Sequence, residues 1–418
     1  MSRRVVITGA GVISAAGAGV GRTCEALLHG YSNMQPLKYL DTIHKDIPCA
    51  EVPFSNQELV EMYNLGDGLL ITRSALLGIA AAREALQMAD LSDGTIASKF
   101  GGKKIKVAFL NGTTVGGMDC SEKYYRDFLS NNSKNHFIML HGSGTTTIEI
   151  AESTGVSYDY VDTLSTACSA ASNAITMGAD LIKCGRADIV VAGGCECITK
   201  YHFNGFYSLM ILDTKPCRPF NADRSGLNLG EGAGFVVLES EEIAVSRGAK
   251  ILAELSGYSN SCDAFHQTAI SPGGDGAVIA MRNALKMSGL QAEQIDYINA
   301  HGTGTVNNDL SEGTAIDTVF CGNVPPVSST KWMTGHPTSA AGAVEAVICL
   351  IAMEHNFIPA NLRFTERIPG LSFSPVAETV DNVKLKHVIS NSFGFGGNDT
   401  SLIFSKYYDG GFNNGGKC

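Results

Sequence analysis

The sequence predicts an α/β protein with buried sheets, on three observations. Short apolar runs rich in β-branched residues alternate with helix-like stretches along the 418-residue chain. Hydrophobic residues make up 44% and charged residues only 17%, against a usual charged share of about 25%. Much of the chain is therefore hidden in a large core, a subunit interface, or both. The 47 glycines are spread out, which points to close backbone approaches and tight turns rather than disorder.

The first run, "RRVVITGAG", reads as a strand and a tight strand-to-helix turn. Gly9 and Gly11 begin a dinucleotide fingerprint, but its third glycine is Ser14 and no acidic strand end follows about 20 residues later. "ALLGIAAAREALQMA" is a buried or amphipathic helix, and "KIKVAFLNG" and "DIVVAGG" are strands ending in glycine. "EGAGFVVLES" is a further strand. After about residue 250 the alternation resumes through "KILAELSGYS", "AVIAMRNALKMSG", "IDYINAHG", "PPVSST", "AAGAVEAVICLIAME", "HVISNSFGFGG" and "TSLIFSKY". The tail "YYDGGFNNGGKC" is polar and glycine-rich and reads as loose. Two helices, one in each half, begin with small side chains: "SAASNAI" after Cys168 and "PTSAAGAVEAVICL" after His336. Small residues let backbones approach, so the two are expected to lie together at the centre of a duplicated fold.

Charge and composition narrow the function. The net charge of −10 and the lack of a basic patch with interleaved aromatics argue against nucleic-acid binding. The N-terminus lacks a signal-peptide pattern, and "AAGAVEAVICLIAM" is too short to span a bilayer. These features predict a cytoplasmic protein with no membrane insertion. Twelve cysteines without a C-x-x-C pair read as mostly reduced, buried, small hydrophobes.

Cys168, in "STACSAASNAI", is the exception worth testing. At a helix start it faces unpaired N–H groups and the positive end of the dipole, which favour thiolate and lower the pKa from about 8.5. The same N–H groups can hold an oxyanion. In "NAHGTGT" a strand delivers His301 into a turn with Thr303 and Thr305. In "SSTKWMTGHPTSAAGAVEA", Lys331 follows a short strand and His336 precedes the small-residue helix. Taken singly, these residues read as a loop histidine, a surface lysine and a helix-capping histidine. "NSFGFGGNDTS" is a glycine-rich turn between strands, and turn chemistry alone does not need its Phe393 and Phe395.

The ordered set is far more specific than its parts. Cys, then His-Gly-Thr-Gly-Thr, then Lys-x-x-x-Gly-His, then Asn-Ser-Phe-Gly-Phe-Gly-Gly resembles the β-ketoacyl-acyl-carrier-protein synthases of the thiolase superfamily, from "RRVVITGAGVIS" through "SLIF". The resemblance implies a duplicated thiolase-like fold with five α-β-α-β-α layers. Residues 1–250 would form the half with the nucleophile and 251–410 the half with the histidine pair. It implies a decarboxylative Claisen condensation of a Cys-bound acyl group with malonyl-acyl-carrier protein, lengthening a fatty-acid or polyketide/polyene chain. No cofactor is required; phosphopantetheine arrives on the carrier.

By the same resemblance Cys168 is the nucleophile, and its N–H and that of Phe395 form the oxyanion hole, with Phe395 also a gate. His301 and His336 stabilise the malonyl enolate, Lys331 organises them, and Glu312 is its acidic partner. Thr303 and Thr305 contact pantetheine, Phe393 and Leu227 border the substrate, and Val115 sets acyl-pocket depth. Asn299, Glu345, Ser390 and Asn391 match positions that hold a monovalent cation in some relatives. A homodimer is implied, with a heterodimer beside an inactive paralogue as the alternative assembly. The alternative function is a non-catalytic partner subunit resembling chain-length factors, which lose the nucleophile, and Cys168 and both histidines argue against it.

Departures concern the pathway. "GLNLGEG" has Leu227 where relatives carry a phenylalanine, the proline of "HGT.TP" is Val306, and Trp332 replaces a small residue. "GGTN" is "GGND" at Asn398 and Asp399, and a basic stretch used for carrier docking is "NLGDGLL". One expectation is that Trp332 or Phe395 replaces the aromatic surface lost at Leu227. A thiolase would need a second catalytic cysteine in the glycine-rich loop, which has none, and a Cys/His/His zinc site lacks a close ligand pair.

Overall fold

The structure is a computed structural model describing residues 3–66, 71–92, 96, 99–101, 104–131 and 139–408. The tail from 409, Cys418 and part of "NLGDGLL" lie outside the described residues. In the first half, five strands are β1 (Val5–Ser14), β2 (Val107–Gly112), β3 (Tyr160–Leu164), β4 (Ile189–Glu196) and β5 (Gly232–Ser240). In the second they are β6 (Ala253–Cys262), β7 (Tyr297–Asn299), β8 (Val327–Ser328), β9 (His387–Gly394) and β10 (Asn398–Ser405). The order across the sheet is β3-β2-β4-β5-β1 and then β6-β10-β9-β7-β8. Read inward from either edge, each half runs third, second, fourth, fifth, first. The outer three strands of each half are parallel and the inner two antiparallel. The order and directions of the strands are thus repeated. The two sets meet where Val6 and Ile7 pair with Glu254 and Ala253, merging them into one continuous sheet.

The helices used below are α1 (Arg73–Met88), α2 (Ser143–Ser153), α3 (Ala170–Lys183), α4 (Lys200–Ser208), α5 (Asp275–Ser288), α6 (Val306–Phe320) and α7 (Ala341–His355). Helices α1 and α2 cover the outer face of the first half, α5 and α6 that of the second, and α3 and α7 fill the space between. This gives the five layers. Strand residues alternate between the layers, as a period of two requires. Phe235 and Val237 of β5 enter the outer core of the first half, and Val236 and Leu238 the central core. Ile403 of β10 enters the outer core of the second half, and Leu402 and Phe404 the central one.

The small residues at the starts of α3 and α7 have the expected use. Ser172 donates to Ser392 Oγ at 2.9 Å, and a Cβ on Gly342 would collide with Ser172 Oγ. The 18-residue stretch Thr338–His355 is long and apolar enough to cross a membrane, longer than the run read from the sequence, but most of it is buried inside the protein. The reading of "TGAG" as a turn is corrected. β1 continues to Ser14, and its glycines serve packing. A Cβ on Gly9 or Gly11 would run into the carbonyl oxygens of Ala85 and Ala81, so α1 lies directly on the strand backbone.

Candidate active site

Three turns at strand ends converge. Ala167–Ser169, between β3 and α3, carries Cys168; the loop after β7 carries His301; and the segment between β8 and α7 carries Lys331 and His336. His336 Nε2 lies 3.1 Å from Cys168 Sγ, and the His301 and His336 rings meet edge to face, 5.2 Å between centroids. One donor nitrogen or sulfur from each of Cys168, His301 and His336 falls within 4.8 Å of the others. That spacing suits a metal, but the Lys331 ammonium 3.4 Å from His301 Nδ1 opposes a second positive charge there.

Lys331 is fully buried, not the surface lysine of the simplest reading. An ammonium has three donors, and all three are used: on His301 Nδ1, on the His301 carbonyl at 2.5 Å, and on Glu345 Oε1. Since Lys331 can only donate, His301 Nδ1 must accept, which leaves the His301 proton on Nε2. Glu312 accepts the N–H groups of His301 and Gly302, both at 2.8 Å, and so anchors the loop backbone. It does not pair directly with Lys331. His336 Nδ1 has no hydrogen-bond partner among the described residues. Its proton is therefore not tied to one nitrogen by a neighbour.

Burial dominates the electrostatics. It pushes both histidines well below their ordinary value, and Lys331 adds to this, so both rings are neutral at pH 7. It pushes Glu312 and Glu345 up to about 7. It also pushes the Cys168 thiol up to about 11, although Lys331 and the Phe395 N–H pull the other way. This corrects the expectation of a lowered pKa. The helix start is present, but the sulfur is too far from water for it to win, and the resting group is a thiol beside a neutral imidazole. The Phe395 N–H is placed to favour charge on the Cys168 sulfur. Gly394 leaves the backbone N–H of Cys168 uncrowded: a Cβ there would stand 3.2 Å from Cys168 N.

A cavity runs from the buried Cys168 to an exposed rim at Met210 and Val306. Its walls include His301, His336, Thr303, Thr305, Leu227, Phe393 and Phe395. The Thr303 and Thr305 hydroxyls pair at 2.9 Å. Val115 is not on these walls; its N–H faces Glu196 at 3.3 Å. Trp332 is also absent from them, which corrects the compensation expected of it. Its indole N–H needs an acceptor, finds the Ala360 carbonyl at 2.7 Å, and holds the ring in the central core. Phe206 of α4 was missed in the sequence. It stacks on Phe395 at 5.8 Å and lines the cavity. The aromatic spacing in "HFNGFY" was the available signal. Among the cation candidates, Asn299 Oδ1, Glu345 Oε2 and Ser390 Oγ are buried without a partner among the described residues, a donor set that fits a hard monovalent cation. Asn391 differs: its side chain is committed to Ser401 and Glu312.

The comparisons follow the same division. Residues 2–244 match the model of the beta-ketoacyl synthase N-terminal domain, and 252–365 that of the C-terminal domain. The chain is 35% identical over 416 residues to "Nodulation protein E" of Rhizobium meliloti (strain 1021), covering 97% of this chain and 100% of that protein. It is 31% identical over 419 residues to "3-oxoacyl-[acyl-carrier-protein] synthase 2" of Staphylococcus aureus (strain N315), covering 97% and 99%. The solved structure "The ishigamide ketosynthase/chain length factor" superposes with a TM-score of 0.88 at 33% identity, covering 98% of this chain and 100% of that one. A thiol, two neutral imidazoles and a buried ammonium at the end of one cavity, within a twice-repeated α/β topology, are thus found in a chain that belongs to the beta-ketoacyl synthase family of condensing enzymes.

Proposed function

We propose that Cys168, His301, His336 and Lys331 carry a two-stage condensation between acyl and malonyl groups, both delivered as phosphopantetheine thioesters on an acyl-carrier protein. The observation that supports this best is the 3.1 Å contact of His336 Nε2 with Cys168 Sγ at the buried end of the cavity.

In the first stage the Cys168 sulfur attacks the acyl thioester carbon as its proton passes to His336 Nε2. The oxyanion lies between the N–H groups of Cys168 and Phe395, and the carrier thiolate leaves and takes the proton back. In the second stage the malonyl thioester loses CO₂. The electron pair of the broken C–C bond becomes an enolate, and its oxygen receives N–H bonds from His301 Nε2 and His336. The enolate carbon then attacks the acyl-Cys168 carbonyl, forming the new C–C bond and breaking the C–S bond. The released Cys168 thiolate takes one proton from solvent, since its first proton left on the carrier thiol, and the thiol is restored. Neutral rings suit this stage, because each must donate one N–H without losing it. Lys331 keeps the His301 tautomer correct, Glu345 balances its charge, and Glu312 holds the loop. Thr303 and Thr305 receive the pantetheine arm, Leu227 and Phe393 border the malonyl group, and Phe395 gates between the acyl and malonyl groups; Val115, off the cavity walls, is given no part in bounding the acyl group.

Asn299, Glu345 and Ser390 would hold a monovalent cation that serves structure rather than chemistry, with Asn391 beside them. The functional halves are 1–250 and 251–410. A homodimer is the favoured assembly. The superposition on a ketosynthase/chain-length-factor structure supports a heterodimer as the second reading, in which this chain, with its cysteine, would be the catalytic subunit.

The test is to treat the protein with cerulenin, a thiol-reactive inhibitor of condensing enzymes, and locate the adduct by mass spectrometry. Dominant labelling of Cys168 is expected. Labelling elsewhere with Cys168 untouched would overturn the assignment, and stoichiometric zinc by elemental analysis would replace it with a metal site.

A further inference from the structure

β10 opens with Asn398 and Asp399, where relatives carry Thr-Asn. Asp399 stands opposite Phe393 on β9 and Ser261 on β6, so it shares a sheet face with the Phe393 ring that borders the cavity. It is fully buried, and neither carboxyl oxygen has a hydrogen-bond partner among the described residues. Two buried carboxyl oxygens without donors are costly if charged.

Its surroundings are acidic. Asp263 approaches from the loop after β6, Glu312 from α6, and Gly276, next to Asp275, from the start of α5. A Cβ on Gly276 would collide with Asp399 Oδ2 and stand 2.8 Å from the Asp263 Cβ. Burial first, then Asp263 and Glu312, push the Asp399 carboxyl up to about 8. The buried Lys331 ammonium acts on Glu312.

Asp263 is the contrasting member of the pair. Its carboxylate accepts the N–H groups of Phe265 and Ser271, both at 3.1 Å, and its own N–H donates to the Gly397 carbonyl at 3.2 Å. The same loop accepts the Gly396 N–H at the Gln267 carbonyl, 2.9 Å away. The loop that Asp263 organises therefore holds the Phe395–Gly397 turn, and with it the Phe395 N–H. Gly397 lies against Asp263 so closely that a Cβ there would collide with Asp263 Oδ1.

We propose that Asp399 is a positioning residue that works as a neutral acid: while it keeps its proton it adds no charge beside the Asp263 carboxyl that holds the Phe395–Gly397 turn, and when the proton passes to solvent base the new charge on Asp399 disturbs that hold and displaces the turn. The consequence for catalysis rests on the function proposed above; the titration does not.

The experiment uses full-length wild type and Asp399→Asn, the uncharged isostere of the acid. In the folded chain Asp399 keeps a proton that the unfolded chain loses from about pH 4 upward. Wild-type stability relative to Asp399→Asn should therefore fall, by up to about tenfold in the folding equilibrium per pH unit, until about pH 8, and stay level above it. This arm needs no substrate, so it stands even if the condensing assignment fails. In the second arm, the condensation rate of Asp399→Asn should match wild type within about twofold at pH 7. Above pH 8 the wild-type rate should fall while the variant holds. Parallel pH–stability curves, coincident rate profiles, or failure of Asp399→Asn to fold would each overturn the proposal, since asparagine reproduces the neutral acid in shape and hydrogen bonding.

Discussion

In the first half of the molecule the turn Ala167–Ser169 carries Cys168; in the second, the turn Thr338–Ala340 carries Ser339 at the same step. Both turns follow the third strand of their half and lead into a central helix. Both open with a non-glycine residue in the left-handed region, Ala167 at φ 51° and Thr338 at φ 38°, conformations that cost on the order of 1–3 kcal/mol and persist only when their surroundings impose them. The groups they present have opposite fates. The Cys168 sulfur faces His336 and an open cavity, whereas the Ser339 hydroxyl donates to the buried Glu196 carboxylate. Glu196 also gathers the Thr113 hydroxyl and the Thr114 N–H after β2, as Glu312 gathers the His301 and Gly302 N–H groups after β7. Duplication supplies the same helix start and the same carboxylate-held loop twice. What each one faces decides which becomes chemical.

The largest expected effect separates the two turns. Cys168→Ala should abolish condensation while leaving malonyl decarboxylation measurable. Ser339→Ala should keep condensation and instead cost about 1–3 kcal/mol of stability, because a buried carboxylate loses a donor. Radiolabelled acyl transfer and denaturant titration of both variants check this, and a dead but stable Ser339→Ala would break the comparison.

Next come the loops. His301→Ala should lose decarboxylation by about 10²–10³-fold yet still accept an acyl group on Cys168, since the ring nearest the sulfur is His336. Single-turnover CO₂ release beside acyl-enzyme formation separates the two steps. Normal decarboxylation by His301→Ala would remove its proposed role.

A smaller effect sharpens the electrostatic side. With the Cys168 thiol pushed up to about 11, the thiolate fraction grows about tenfold per pH unit below that value. The rate of Cys168 alkylation by iodoacetamide should therefore still be rising at pH 10, whereas an ordinary thiol levels off near pH 9. A plateau at or below pH 8 would mean that the helix start outweighs burial after all.

The smallest effect on the chemistry concerns Leu227 and Trp332. Leu227 is on the cavity wall, so Leu227→Phe adds volume to a packed site at about 1–3 kcal/mol and should change CO₂ release only a few-fold. Trp332 is in the core, so Trp332→Ser should cost about 3–5 kcal/mol of stability with decarboxylation per folded molecule unchanged. Slower CO₂ release from folded Trp332→Ser would return that ring to the site.

The alternation of strands and helices, the pairing of two small-residue helices, and the residue types and order of the Cys, His, Lys and Phe motifs could be read from the sequence alone. They are local properties: periodicity, side-chain size and the spacing of a few neighbours. Tertiary structure decided the rest, because the rest depends on distance and burial between residues far apart in the chain. It turned "TGAG" from a turn into a strand by laying α1 on Gly9 and Gly11, and it sent Trp332 inward to reach the Ala360 carbonyl. It raised the Cys168 pKa that the helix start would have lowered, and it set Asp399 beside Asp263. A motif states which groups are available. Only the packed fold determines how dry each one is and which charge stands next to it, and those two quantities set the protonation state on which the chemistry depends.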